Sequence, residues 1–275
     1  HEVSPETYLG LMSSGAATIT GSSSNVPTGT GTLYYRIVVT DPSSVTSSND
    51  TVTVTQTQPL GTVSTVANTL DNPNAIAIIG NSAFVANIGN DTIFEVDLVT
   101  NAVSVPAFTE DLVANYSFTE QKGMIAGGSD LYTMALIYDE SYYSLLKITP
   151  STNTITAVVE DWFSEPHDVA LIGNDLYVTD DYDQAVYHVT TDGLTGPTGL
   201  SLSGDTAGFI PSAITTDGTT LYLIDNGNRK LCELVPNLAA DPPEGVLTVI
   251  ANDVITTTDA GGIALIGNTI YISDV

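Results

Sequence analysis

The apolar and polar positions of this chain follow one phrase that recurs at regular intervals. Each copy begins with an apolar stretch, passes through a Gly-Asn or Asp-Gly turn, and enters a strand rich in aromatic and β-branched residues. A polar turn and an alternating strand such as 92–96 follow. Gly, Asn and Asp tolerate positive φ, so these turns indicate hairpins. With a more variable fourth strand, such as 245–250, each copy predicts a sheet of four antiparallel strands.

The number and spacing of the copies predict the architecture. They span residues 72–98, 122–150, 165–191, 210–236 and 259–275, the second being degenerate and the last shortened. A period of roughly 45 residues is typical of radial arrays of four-stranded sheets. We therefore predict an all-β protein, a β-propeller of about five blades with six as the alternative count.

The last copy ends after its second strand, which would leave an open sheet edge. Unpaired groups at such an edge cost stability and invite association. The segment 61–68 has the pattern of an outermost strand, and 50–58 aligns with the third strand of 91–99. We expect strands around 50–68 to close the last blade, so that the propeller occupies 58–275. The alternatives are that the chain is a fragment or that a neighbouring molecule supplies the missing strands.

One copy carries a resemblance to a known family. Residues 210–234 read IPSAITTDGTTLYLIDNGNRKLCEL, with a Pro-containing start, an Asp-Gly turn, an aromatic strand ending in Asp, and a Gly-Asn turn before a basic residue. This unit resembles those of NHL-like and YVTN-type β-propellers, and the resemblance covers roughly 60–275. It implies the propeller fold but leaves the function open, because such propellers serve as binding platforms, scaffolds and, less often, enzymes.

Residues 1–57 have a different composition, rich in Ser, Thr and Gly and nearly free of charge. The segments 18–21, 35–41 and 51–55 resemble the second half of Ig-like, cadherin-like modules of bacterial and archaeal surface proteins. The resemblance implies a partial β-sandwich that lacks its first half and leaves one apolar face bare. The segment 50–56 can serve as both a sandwich strand and a blade strand only if it is shared.

Two explanations of the missing half stand side by side. Either the chain begins inside a longer polypeptide, or a neighbouring subunit completes the half sandwich by β-strand addition and so links subunits into a filament. The side chains expected to form this assembly surface are Tyr35, Ile37, Val39, Val52 and Val54.

The net charge of the chain restricts its expected location and its binding partners. With 5 Lys and Arg against 32 Asp and Glu, the formal net charge is −27. Such a charge repels nucleic acid and anionic membrane surfaces, so we exclude both as partners. No segment is apolar over the length of a membrane-spanning helix. We expect a secreted or cell-surface protein, and glycosylation sequons start at Asn49, Asn90 and Asn115.

The candidate chemistry rests on carboxylates. Asp180, Asp181 and Asp183 form the densest cluster, in a turn that could begin to supply the oxygen ligands of calcium. The competing interpretation is that Asp at this turn bonds the local backbone. Calcium is the one cofactor we consider, although no full calcium-loop motif occurs. The single Cys232 lies in an apolar alternating strand and is predicted to be a buried thiol.

His167 is the best candidate for binding a ligand at the mouth of the channel. It is predicted to lie at the start of an innermost strand, near Glu165 and Asp168, and Asp168 and Asp181 are the other candidate ligand-binding residues. A lone histidine at a rim is more often a surface hydrogen-bonding residue. Carboxylate pairs arise by chance in so acidic a chain, so we assign no catalytic residue.

Three functions compete on these grounds. We favour a non-enzymatic extracellular structural protein, a surface or fibre subunit that forms a homopolymer by strand complementation. The first alternative is a secreted adhesin, a propeller that binds a glycan or a peptide. The second alternative is a secreted hydrolase or lyase.

Overall fold

The structure is a computed structural model, and it describes residues 70–89, 92–106, 116–137, 141–256 and 260–274. The Ig-like module predicted at 1–57 and the closing strands predicted around 50–68 lie outside the described residues. So do the sequons at Asn49, Asn90 and Asn115 and the assembly residues Tyr35, Ile37, Val39, Val52 and Val54.

Successive antiparallel hairpins form five sheets, numbered here in chain order. Sheet 1 contains β1 (Pro73–Ile79), β2 (Ser82–Asn87), β3 (Thr92–Asp97) and β4 (Val103–Ser104). Sheet 2 contains β5 (Tyr116–Gly127), β6 (Asp130–Ile137), β7 (Tyr143–Thr149) and β8 (Thr154–Phe163), with a short 3-10 helix (Pro150–Thr152) between the last two. Sheet 3 contains β9 (Pro166–Ile172), β10 (Asp175–Asp180), β11 (Ala185–Thr190) and β12 (Thr198–Gly199). Sheet 4 contains β13 (Ser201–Gly204), β14 (Pro211–Thr216), β15 (Leu221–Asp225), β16 (Lys230–Asn237) and β17 (Glu244–Ala251), and sheet 5 contains β18 (Ala260–Ile266) and β19 (Thr269–Asp274). Across these ranges, no helix has the length and apolar character needed to span a membrane.

Several first hairpins close through a two-residue loop that begins with glycine. In sheet 3, Ile172 pairs with Asp175, which leaves a Gly-Asn loop starting at Gly173, where φ is 62°. The corresponding loops of sheets 1 and 5 begin at Gly80 and Gly267, each with φ of 58°. Residues with a Cβ rarely adopt this region. The predicted Gly-Asn turns are thus confirmed, and they fix which side chains share a face of the sheet.

The sheets stack face to face, with an apolar cluster between each neighbouring pair. Alternation along β10 illustrates the arrangement, because Leu176 and Val178 pack against sheet 2 whereas Tyr177 packs against sheet 4. β5 contacts β1 and β9, and β14 contacts β9 and β18, so the first antiparallel strand of each sheet lies innermost. Cys232 is buried between sheets 3 and 4, as predicted, and burial raises the pKa of its thiol to about 12.

Sheet 4 has a fifth strand that the sequence pattern does not predict. β13 follows β12 closely and pairs in parallel with β17, with Ser201 opposite Glu244 and Gly204 opposite Leu247. The strand covers the outer edge of sheet 4, where backbone groups would otherwise be unpaired. Its sequence, SLSG, is too short to show the alternation that indicates a strand.

We expect Gly204→Ala to lower the free energy of unfolding by about 1–3 kcal/mol. At Gly204 φ is 92°, and an added Cβ would collide with the carbonyl oxygen of Leu247. Gly196→Ala is the matched control, because a Cβ at Gly196 meets no atom within contact distance and φ there is not positive. Urea unfolding of both variants measures the difference, and equal midpoints would contradict the close β13–β17 pairing.

The two terminal sheets expose apolar side chains. On β1, Ile76 is 60% exposed and Ile78 is 54% exposed. In sheet 5, Ile266 is 67% exposed and Tyr271 is 56% exposed. Within the described residues, sheet 5 also has two strands where sheets 1 to 3 have four. Closure of the last blade by strands around 50–68 therefore stays a prediction.

Candidate functional site

The side chain that ends the second strand of sheet 3 holds the chain that enters the same sheet. Oδ2 of Asp180 accepts hydrogen bonds from the backbone N–H groups of Ser164 at 3.0 Å and Glu165 at 3.1 Å. Its Oδ1 accepts the N–H of Asp183 at 3.1 Å. Burial raises the pKa of Asp180, and the three N–H donors oppose that rise. Both oxygens thus bond the local backbone, as in the competing interpretation of this turn.

Sheets 1 and 4 use the same bond at the equivalent position. Oδ1 of Asp225 accepts the N–H of Ile210 at 3.0 Å, and Oδ1 of Asn87 accepts the N–H of Asp71 at 2.6 Å. All three acceptor side chains are buried. We call Asn87, Asp180 and Asp225 the strand-end ties, because each fixes the segment before the innermost strand of its own sheet.

The structure brings His167 and Asp181 together. Nε2 of His167 lies 3.4 Å from Oδ2 of Asp181, and about a quarter to a third of each side chain is exposed. Antiparallel pairing of β9 and β10 causes this, since it places the start of one strand beside the end of the other. On the same edge, Nζ of Lys122 lies 3.5 Å from Oε1 of Glu165. The imidazole therefore has a carboxylate that can orient it toward a polar ligand.

The carboxylate of Asp168 lies where sheets 2, 3 and 4 meet. Its Oδ1 accepts the N–H of Val169 at 2.9 Å, and its Oδ2 accepts the N–H of Ile214 in sheet 4 at 3.0 Å. From sheet 2, Gly123 approaches the same carboxylate so closely that no Cβ would fit. Asp168 thus joins three sheets, and its predicted contact with a ligand stays a prediction.

The carboxyl of Asp168 is expected to titrate near pH 6. Burial raises its pKa from 3.8 to about 6, against two N–H donors that lower it. Because the folded pKa lies above the unfolded one, the stability contributed by this group is complete below about pH 4 and is lost as the pH rises through about 6. Two units of pKa correspond to about 3 kcal/mol.

Unfolding of the wild type and of Asp168→Asn across this pH window measures the effect. The wild type should lose stability relative to the variant as the pH rises, since the amide does not titrate. A carboxyl midpoint near the ordinary value, followed by NMR, would contradict the raised pKa of Asp168.

Among the described residues, no three His, Cys, Asp or Glu side chains are placed to hold one metal ion. The predicted set of Asp180, Asp181 and Asp183 is divided between different tasks. Asp180 bonds the backbone, Asp181 faces His167, and Oδ2 of Asp183 accepts the hydroxyl of Tyr187 at 2.9 Å. Calcium binding at this turn therefore stays a prediction.

A groove lies on the surface where sheets 2 and 3 meet, with a volume of about 260 Å³. Its lining consists of three aromatic and two acidic side chains, namely Tyr142, Asp161, Trp162, Asp183 and Tyr187. We call this the aromatic groove. Burial, together with the bond to Asp183, raises the pKa of Tyr187 to about 12, so its hydroxyl stays a donor.

Sequence reasoning places Asp183 in the DDYD turn but does not connect Asp161 or Tyr187 with any site. From the sequence alone, Trp162 and the Tyr-rich stretch 138–143 are candidate platforms for stacking a sugar, set aside in favour of core positions, and Trp162 and Tyr142 line the groove. The pattern of apolar and polar residues does not show which aromatic residues of a strand are exposed. Most aromatic residues in strands belong to the core.

Comparison with known proteins identifies the fold. No family model and no curated protein matches the sequence. A chain of the nidogen/laminin complex is similar in structure, with a TM-score of 0.52 and 14% identity over 70% of this chain and 73% of that chain. The calcium-binding protein regucalcin from Agrobacterium tumefaciens is similar with a TM-score of 0.50 and 15% identity, over 71% of this chain and 64% of that chain. Both neighbours are β-propellers. This chain is a β-propeller.

The comparison confirms the predicted fold class, and at such low identity it concerns the fold alone. In the propeller, the innermost strands surround the central axis. His167 follows the first residue of β9, and Asp181 follows the last residue of β10, so both lie at the same end of the innermost part of sheet 3. The aromatic groove is formed by the residue before β7, by strands β8 and β11, and by the turn before β11.

Proposed function

We propose that this propeller is a non-enzymatic extracellular structural protein, a surface or fibre subunit whose copies join by β-strand complementation. The observation that carries the proposal is sheet 5, which has only β18 and β19 within the described residues. In sheets 1 to 3, which have four strands each, the second strand is paired on both sides.

The edge of β19 has the chemistry that a donated strand requires. In sheet 3 the second strand pairs on both sides, as Val178 does with Val169 and Tyr187. In the described part of sheet 5 the second strand pairs with β18 alone. An unpaired edge binds an extended segment through main-chain hydrogen bonds. The proposed donor is residues 50–58 of a second copy, because this segment aligns with the third-strand segment 91–99.

Exposed apolar side chains support an interface at the terminal sheets. Ile76 and Ile78 lie on one terminal sheet, Ile266 and Tyr271 lie on the other, and each is more than half exposed. Burial of apolar surface contributes about 25 cal/mol per Å². Joining copies through these faces would therefore add to the strand pairing. The net charge of −27 supports an extracellular setting and keeps free subunits soluble.

The test uses the full chain at rising concentration, followed by light scattering and electron microscopy. The wild type is expected to form regular polymers, and Val52→Asp with Val54→Asp is expected to disperse them. Thr53→Asp is the matched control, because it adds a charge to the opposite face of the same predicted strand.

The outcomes separate the alternatives. Polymers that persist in the double variant would overturn the proposed donor strand. A wild type that stays monomeric, and whose melting temperature falls in the double variant, would show closure within one chain instead of between copies.

A second candidate function is ligand binding by a secreted adhesin. The pairing of His167 with Asp181 on the rim favours it, and one neighbour of similar fold belongs to the nidogen/laminin complex, a complex of proteins. Saturable binding of a glycan or peptide that His167→Ala and Asp181→Asn weaken would support it. Binding unaffected by both substitutions would exclude the rim.

Calcium deserves a separate measurement because regucalcin is a calcium-binding protein. Both oxygens of Asp180 already accept backbone N–H groups, which leaves few lone pairs for an ion. We therefore expect a chelator to leave the melting temperature of the propeller unchanged. A fall that added calcium reverses, and that Asp183→Asn abolishes, would establish the site predicted from the DDYD turn.

A further inference from the structure

The aromatic groove contains two carboxylates without an ion pair in the described part of the chain. Within the described residues, Asp161 and Asp183 form no ion pair, and Lys122, on the neighbouring rim, pairs with Glu165. The chain as a whole carries a formal net charge of −27. Uncompensated carboxylates in such a field attract a positively charged ligand.

Aromatic rings stand beside these carboxylates. Trp162 is 51% exposed and Tyr142 is 46% exposed, so both offer ring surface to a ligand. The Tyr187 ring packs edge-on against Phe163, with centroids 5.8 Å apart, and its hydroxyl donates to Asp183. Cations bind over such rings, and the attraction grows where water is partly excluded.

A β-bulge builds one side of the groove. Tyr143 pairs with Phe163 and Leu145 pairs with Val159, so β8 has two residues more than β7 between these pairs. Asp161 lies in this bulge with φ of 47°. Its N–H donates to the hydroxyl of the buried Ser144 at 2.9 Å. The bulge therefore turns Asp161 and Trp162 outward, where a regular strand would keep pairing.

Asp183, on the other side of the groove, is also held in place by hydrogen bonds. The N–H of Asp183 donates to Asp180, and Oδ2 of Asp183 accepts hydroxyl groups from Tyr187 at 2.9 Å and Ser164 at 3.4 Å. A carboxylate held in this way loses little freedom when it binds a ligand. The contacts with the protein thus fix the orientation of the Asp183 carboxylate before a ligand binds.

Guanidinium is the cation that suits this combination. It is planar, stacks on aromatic faces and donates several N–H groups to carboxylates, whereas an ammonium is a strongly hydrated point charge. A neutral sugar would gain nothing from the net charge. We propose that the aromatic groove binds the side chain of an arginine presented by a protein partner. The proposal is independent of strand complementation, since the groove lies between complete sheets.

The single Trp162 makes the proposal directly measurable. Its fluorescence is followed while the full chain is titrated with a short peptide, Ac-Gly-Arg-Gly-amide, and with the same peptide containing neutral citrulline. We expect saturable binding of the arginine peptide, at least about tenfold tighter than that of the citrulline peptide. Binding should weaken as salt rises, because the groove is open to solvent.

Variants locate the site. Asp161→Asn and Asp183→Asn keep an acceptor oxygen and should each weaken binding about fivefold. Glu244→Gln removes one exposed charge from sheet 4 and should leave binding unchanged, and circular dichroism verifies that each variant is folded. Equal binding of the arginine and citrulline peptides, tighter binding of glucose than of the arginine peptide, or no fluorescence response would each overturn the proposal.

Discussion

Replacing Asp180 with alanine is expected to lower the free energy of unfolding by about 3 kcal/mol. The substitution leaves the N–H groups of Ser164, Glu165 and Asp183 without their acceptor. Each lost bond costs about 1 kcal/mol, and more where water cannot replace the carboxylate. Asp180 itself has no exposed surface, so the site cannot hydrate without opening. Chemical denaturation of the two proteins measures the loss.

Two companion variants distinguish this role from a general effect of removing charge. Asp181→Ala removes the neighbouring carboxylate, which bonds no backbone group in the described structure, and should cost less than about 1 kcal/mol. Asp225→Ala removes the strand-end tie of sheet 4 and should match Asp180→Ala. Equal stability of the Asp180 and Asp181 variants would contradict the assignment of the ties.

Phe163→Ala is expected to cost about 4 kcal/mol of unfolding free energy. Phe163 has no exposed surface and belongs to the apolar cluster between sheets 2 and 3. Truncation removes its buried contacts and leaves a cavity that the strands on either side can fill only in part. The edge of Tyr187 also loses its packing partner. The variant should therefore weaken arginine binding as well as stability.

Trp162→Ala is the matched control for the loss of stability expected in Phe163→Ala. The two aromatic residues are adjacent, yet the bulge leaves Trp162 half exposed while Phe163 is buried. We expect the tryptophan variant to change stability by less than about 1 kcal/mol. A larger loss at Trp162 than at Phe163, measured by urea unfolding, would mean that β8 presents its opposite face to the core.

The repeated phrase predicts most of the fold because its signals are local. Apolar alternation and Gly-Asn turns, as at Gly173, are sufficient to define hairpins and their register. The same phrase predicts that Asp at the strand end bonds nearby backbone, which Asp180 and Asp225 do. These features depend on residues close in the sequence, so the pattern contains them.

Features that depend on distant contacts are not contained in the pattern. β13 becomes a strand because β17 offers it an edge, not because of its own residues. The sequence gives the position of Asp168 but not the direction of its carboxylate, which Ile214 and Gly123 determine from neighbouring sheets. The aromatic groove arises from a bulge, and the left-handed backbone of Asp161 has no signature in the residues around it.

The strand-end ties bear on how such a chain can change in length over evolutionary time. Asn87, Asp180 and Asp225 each bond backbone that precedes the innermost strand of their own sheet, so a duplicated repeat would keep its own tie. The bonds from Asp168 to Ile214 and from Thr179 to Ser212 cross from sheet 3 to sheet 4 instead. An inserted repeat at that junction would have to break both of these bonds.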